Sequence, residues 1–166
     1  MVDDFNREAL TIEIDLNLPA SRVTRALDRI AVWRGYPQAL CLDNGPEFIS
    51  LTPAEWAEEH GVTLNFIQPG KPTQNSFVER FNRTYRTEIL DFYVFRQLSE
   101  VRTTTETWIT QYNEERRHES LEDLTPLEYR QAITYPGTSN NHWYCFKRGL
   151  QMIALWPITA EYSDLP

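Results

Sequence analysis

The order in which two periodicities alternate along the chain narrows its fold more than any other feature. LTIEIDL, residues 10–16, sets Leu10, Ile12, Ile14 and Leu16 against Thr11, Glu13 and Asp15, the period of two expected of a strand with one buried face. Pro19 then opens a segment in which apolar Val23, Leu27 and Ile30 oppose Arg22, Arg25 and Arg29. Gly35 and Pro37 stop that segment, which predicts an amphipathic helix. ALCLDNG, residues 39–45, is an apolar run too brief for a helix, and it ends in an acid followed by the turn-formers Asn44 and Gly45. It reads as a buried strand with Asp43 at its C-terminal end. Thr52-Pro53-Ala54-Glu55 reads as a capping box with proline at the first helical position, Gly61 ends that helix, and VTLNFI, residues 62–67, alternates as another strand.

The loop QPGKPTQNS follows, and then a helix with the apolar stripe Val78, Phe81, Tyr85, Ile89 and Phe92. At 100° per residue, Glu79 falls about 100° from that stripe, in one sector with Asn82, Arg83 and Arg86. A further helix over roughly 100–115 carries Val101, Trp108, Ile109 and Tyr112. After the turn RRHESLED a second capping box, Thr125-Pro126-Leu127-Glu128, starts a short last helix. Strand, helix, strand, helix in this order predicts a mixed α/β layer fold, in which functional groups gather at the carboxyl ends of strands. Residues 1–134 form one domain on this reading. Residues 135–166, rich in aromatics but without either period, are left as an unassigned C-terminal tail.

Charge is unevenly spread. The 166 residues carry a formal net charge of −8, which argues against a nucleic-acid surface, yet residues 71–86, KPTQNSFVERFNRTYR, hold four bases, Lys71, Arg80, Arg83 and Arg86, around the single acid Glu79. On charge alone such a cluster reads as a solvated helix face. Cys41 and Cys145 make neither a metal-ligand spacing nor a disulfide framework, His60, His118 and His142 are scattered, and MVDDFNREAL lacks the features of a signal peptide. No apolar run reaches the roughly 18–20 residues of a membrane span. A reduced, cytoplasmic setting without a membrane partner is therefore expected.

Two carboxylates, one after a strand and one on a helix beside a basic, amide-rich loop, are what a divalent-metal site for phosphodiester chemistry requires. Magnesium takes carboxylate oxygens and keeps positions open for water and phosphate, and nearby Lys, Arg and amide groups hold a phosphate backbone by charge-assisted bonds. An acid after a strand and an acid on a helix are common, and by spacing alone the same residues read more readily as a turn aspartate and a salt-bridged glutamate.

LDNGPEF (42–48), QPGKPTQNSFVERFNRTYRTE (68–88) and YNEERRHESLEDLTPLEY (112–129) together resemble the integrase core of bacterial insertion-sequence transposases, relatives of retroviral integrases with a ribonuclease-H-like fold. Thirty-five residues separate Asp43 from Glu79, matching the second and third acids of that family's D, D, E triad. The resemblance runs over residues 2–133. It implies a ribonuclease-H-like mixed sheet flanked by helices, and a DNA strand transferase with a two-metal Mg2+ or Mn2+ site in which Asp43 and Glu79 are metal ligands. It further implies that Asn44, Lys71, Gln74, Asn75, Arg80, Arg83 and Arg86 face DNA, the insertion-sequence ends and target being the substrate. A nucleoid-associated location, and pairing with an intact transposase or with itself, are implied too.

The sequence also departs from that pattern. The family's first aspartate lies some sixty residues before the second, whereas forty-two residues precede Asp43 here. The expectation is a core lacking its first strand and its first catalytic aspartate, inactive alone, since positioning supplies most of the catalysis in phosphoryl transfer. Asp3 and Asp4 align after that aspartate, and Asp15 reads as a solvent-facing strand residue; none is expected to be a ligand. Arg116-Arg117-His118 stands where relatives carry Arg-Pro-His, and a glycine is usual near Glu122, so an altered turn is expected there, with His118 a structural turn residue. The tail reads as a non-homologous extension from a shifted frame or a disrupted gene copy. A helix-turn-helix region is not found. The alternative function is a non-catalytic remnant that binds DNA or an intact transposase. A ribonuclease-H-type nuclease would satisfy the metal chemistry but not the QPGKPTQNSFVERFNRT loop.

Overall fold

The computed structural model describes residues 1–17, 19–42, 51–66, 76–133 and 146–147. The predicted first helix forms as α1, Ala20–Arg34, and buries Val23, Thr24, Ala26, Leu27 and Ile30. Gly35 ends it at φ 83°, a left-handed value that costs glycine nothing, and its N–H returns to the Ala31 carbonyl at 2.7 Å. β1, Ala39–Leu42, follows with Leu40 and Leu42 buried. α2, Leu51–Glu59, starts one residue before the anticipated cap, so that Thr52 and Pro53 lie within its first turn. Proline is tolerated there because first-turn N–H groups have no intrahelical partner. After Gly61 at φ 66°, β2, Thr63–Phe66, pairs in parallel with β1, Leu40 opposite Leu64.

β1 is the middle strand of three. On its other side lies β3, Phe146–Lys147, also parallel, with Leu40 opposite Phe146. These two residues come from the stretch without sequence period.

The clearest departure from the sequence reading is LTIEIDL, which joins no ladder. The chain start instead folds as a short hairpin: Val2 bridges Ala9, Asp3 N–H donates to the Glu8 carbonyl at 2.9 Å and Leu10 N–H to that of Met1 at 2.9 Å. Met1 and Leu10 enter a core with α1, β1 and α2, whereas Val2, Ala9 and Ile12 belong to a second core. Leu10 and Ile12 thus serve opposite sides, and Leu16 is exposed, so the alternation does not mark one buried face. The helix α4, Leu98–Glu115, takes the place of a neighbouring strand. Its Asn113 accepts from Ala9 N–H at 2.8 Å and donates to the Ala9 carbonyl at 2.9 Å, and its Arg102 donates to the Ile14 carbonyl. Asp15 accepts from Arg22 and Arg102.

α3, Ser76–Tyr85, continues into a single π-helical turn, Arg86–Leu90, closed by Asp91 N–H on the Arg86 carbonyl at 2.8 Å. Val78, Phe81, Tyr85 and Ile89 are buried as the stripe anticipates, but Phe92 is 73% exposed. The wider turn and the break at Asp91 carry Phe92 off the stripe. Phe81 and Tyr85 meet Trp108 and Tyr112 of α4 mostly edge to face, with centroids 5.1–5.6 Å apart. α5, Pro126–Ile133, begins with the anticipated reciprocal box: Thr125 N–H donates to Glu128 at 2.9 Å, and Glu128 N–H to Thr125 Oγ1 at 3.2 Å.

A buried ion network joins these layers. Arg34 at the end of α1 pairs with Asp3 and Glu8, and Arg130 of α5 pairs with Glu8 at 2.8 Å. Asp3 and Glu8 are both buried.

Asn113→Ala strands the Ala9 peptide, and urea unfolding is expected to register a loss of roughly 1–3 kcal/mol. Glu122 and Asp123 hold φ 57° and 60°, where a Cβ is disfavoured. Glu122→Gly is therefore expected to raise stability by up to ~1 kcal/mol, seen as a higher melting temperature.

Candidate functional site

The amphipathic pattern of α3 decides where its charges go. With Val78, Phe81 and Tyr85 turned inward, Glu79, Arg80, Arg83 and Arg86 are exposed and Asn82 is half-buried. Glu79 occupies the first turn, where the helix dipole favours a carboxylate. Arg86 lies 3.6 Å from Asp91 in an exposed ion pair. One acid and three arginines thus share the solvent-facing surface of one helix and the turn that follows it. Asp43 follows Leu42, the last residue of β1, and lies outside the described residues, as do Asn44, Lys71, Gln74 and Asn75.

The other acids near the chain start are engaged. Asp3 and Glu8 hold Arg34, Asp4 holds Arg7, and Asp15 holds Arg22 and Arg102. Burial pushes the Asp3 carboxyl up, opposed by the Phe5 N–H and by Arg34. Asp15 sits below its ordinary value, chiefly through the Leu16 N–H. Among the described residues no three His, Cys, Asp or Glu side chains cluster as a metal site. No described helix is long and apolar enough to cross a membrane.

Beside the Glu79 surface, α3 faces the turn after α4 across a cavity of about 530 Å³. Arg80, Arg116, Arg117, His118 and Ser120 line it, with Tyr112 as apolar wall. In the sequence, Arg116-Arg117-His118 pointed only to an altered turn, although the run of three basic side chains was the available signal. The turn itself is well bonded: His118 N–H donates to the Leu124 carbonyl at 3.1 Å, and the His118 carbonyl accepts from Leu121 and Asp123. Its Nε2 is buried without a hydrogen-bond partner among the described residues. Burial lowers the His118 pKa, and Arg116, Arg7 and Arg80 lower it further, so the imidazole reports a positive field.

Arg116 is held by Glu88, whose carboxylate also accepts from Trp108 Nε1 at 2.7 Å. Burial opposes ionisation of Glu88, but the bonds from Trp108 and Arg116 prevail and hold its pKa below 4.5. A depressed folded-state pKa gives stability that is present above the unfolded value and lost as pH falls through the folded one. Glu88→Gln is accordingly expected to flatten the acid limb of a melting-temperature profile below about pH 4.5.

Both the fold and the sequence have relatives among known proteins. A chain of the simian T-cell lymphotropic virus intasome, solved by cryo-electron microscopy in complex with PP2A regulatory subunit B56 gamma, superposes with a TM-score of 0.57 at 16% identity, over 75% of this chain and 44% of that one. The architecture is therefore the ribonuclease-H-like α/β fold. Models of the integrase core domain match residues 1–72 and 60–126. The uncharacterised 31.7 kDa protein of insertion element IS407 from Burkholderia multivorans is 46% identical over 129 residues, 78% of this chain and 47% of that protein. The 39.2 kDa protein of insertion element IS476 from Xanthomonas euvesicatoria is 38% identical over 150 residues, 90% and 43% respectively. The chain belongs to the integrase core family and is similar to proteins of bacterial insertion elements. It spans less than half the length of these two relatives.

Proposed function

We propose that the chain acts in DNA transposition as part of a strand-transferase core, with Asp43 and Glu79 as ligands of Mg2+ or Mn2+ and residues 71–86 holding DNA. The observation that carries this reading is the exposed face of α3, which presents Glu79 together with Arg80, Arg83 and Arg86 while the apolar stripe is buried. A carboxylate oxygen is a hard donor and fits a hard divalent ion, which Cys41 or His118 would not. When bound, such ions supply activation of the attacking oxygen and stabilisation of the leaving one. Arg80, Arg83 and Arg86 hold and orient the phosphate backbone, with Asn44, Lys71, Gln74 and Asn75 contributing amide and ammonium donors.

A catalytic centre of this kind needs a third carboxylate. Asp3, Asp4, Glu8 and Asp15 are each committed to arginine, and withdrawing Asp3 or Glu8 would leave Arg34 buried beside a missing partner. On this reading the third carboxylate is none of these four, and it is supplied by an intact transposase or a second copy, so that residues 1–166 alone do not complete the centre. The same commitment of acids supports the second reading, a remnant that binds DNA or an intact transposase without catalysis.

Incubated alone with insertion-sequence-end DNA and Mn2+, the chain is expected to give no cleavage or strand-transfer product on a sequencing gel. Product formation that Glu79→Gln abolishes would overturn the claim of incompleteness. In anisotropy titrations, a double Arg80→Ala, Arg83→Ala change is expected to reduce the slope of log affinity against log salt by about 2, roughly 0.9 for each phosphate no longer neutralised. Affinity indifferent to salt would count against DNA binding altogether.

A further inference from the structure

Three guanidinium groups and an imidazole converge on the cavity between α3 and the turn after α4, against one lining carboxylate, that of Glu119. Arg116 is restrained by Glu88 and lies over the Tyr112 ring, its guanidinium carbon 5.4 Å from the centroid. Arg117 donates to the Asp123 carbonyl at 2.8 Å, and its nearest carboxylate, Glu128, is 3.9 Å away across an exposed pair. Such a concentration of positive charge repels itself, and it is held in place by Glu88, Glu128 and the Asp123 carbonyl around the cavity, with Glu119 the one carboxylate that lines it. His118 shows the consequence: Arg116, Arg7 and Arg80 add to burial in disfavouring its protonation, and its Nε2 has no hydrogen-bond partner among the described residues. An anion would relieve the repulsion and offer acceptors to the guanidinium groups and the Ser120 hydroxyl. The volume, about 530 Å³, admits a phosphate with the sugar attached to it.

We propose that this cavity is a phosphate-binding pocket in which Arg80, Arg117 and Ser120, grouped around His118, take a phosphate of the DNA backbone beside the Glu79 surface. The inference rests on the DNA-binding reading given above and extends it from α3 to the turn after α4. Arg80 lines the pocket from α3, so that one strand can pass from the exposed arginines into it. Arg116 stiffens the wall by its bond to Glu88.

The test uses the full chain, a fluorescently labelled duplex of about 25 base pairs, and inorganic phosphate as a second probe. Ser120→Asp and Arg117→Gln change exposed side chains, so folding is checked by circular dichroism and the measurement stays interpretable. The expected result is a loss of affinity of roughly tenfold for Ser120→Asp and about threefold for Arg117→Gln at about 100 mM salt, with a salt slope shallower by about 1 for each. Arg83→Ala, outside the pocket, should weaken binding independently of either change. Wild-type affinity in both pocket variants, with a loss only in Arg83→Ala, overturns the pocket and leaves the DNA reading intact. If the duplex does not bind wild type but phosphate shifts the His118 imidazole resonances, and Ser120→Asp abolishes that shift, the DNA source is overturned and a free-phosphate site is established. Silence to both probes overturns both.

Discussion

Arg34 is the fastening on which the layers depend. It sits in the last turn of α1 with a side chain only 12% exposed, and it holds two buried carboxylates, Asp3 and Glu8, that stand on either side of the chain-start hairpin. Arg130 of α5 completes the set by bonding Glu8. Charges taken out of water this far are tolerable only when each is paired and hydrogen-bonded, so the four side chains fix one another's positions. The hairpin fixed in this way then sends Met1 and Leu10 into the core under α1 and β1, and Val2 and Ala9 into the aromatic core under α3 and α4. Two cores that share few residues are thereby tied through a polar joint instead of a continuous sheet.

Where local chemistry decides a feature, the sequence carried it. α1 stops at Gly35 because that residue takes φ 83°, and α5 starts where Thr125 and Glu128 exchange bonds; both follow from residues a few positions apart. Long-range competition was not legible. LTIEIDL has the pattern of a strand, yet the backbone groups of Ala9 and Ile14 are satisfied by Asn113 and Arg102, about a hundred residues downstream, and no periodicity in residues 10–16 records that. A stripe drawn at 3.6 residues per turn includes Phe92, but beyond Tyr85 the helix widens and Phe92 leaves it. The candidate site divides in the same way. The exposed face of Glu79, Arg83 and Arg86 is a local consequence of the α3 pattern, whereas the cavity around His118 needs α3 and the turn after α4 to meet.

The net charge of −8 misleads about the surface because acids and bases are used differently. Around the chain start, acids are spent on structural arginines, Arg7, Arg22, Arg34 and Arg102 among them. On α3 the balance reverses, with Arg80 and Arg83 exposed beside the single acid Glu79, and in the turn after α4 Arg117 is exposed among Glu119, Glu122 and Asp123. A chain can thus be acidic by sum and still offer a polyanion a locally basic face.

The π-helical turn at Arg86–Leu90 has a consequence for how this helix tolerates changes in length. A turn of this kind holds one residue more than its α-helical counterpart, which makes it the natural place for a one-codon deletion to be absorbed. Such a deletion would let α3 run on with regular pitch and leave Glu79 and Arg83 where they are. The segment therefore works as an expansion joint: length can vary beyond Tyr85 without moving the carboxylate upstream in the first turn of the helix.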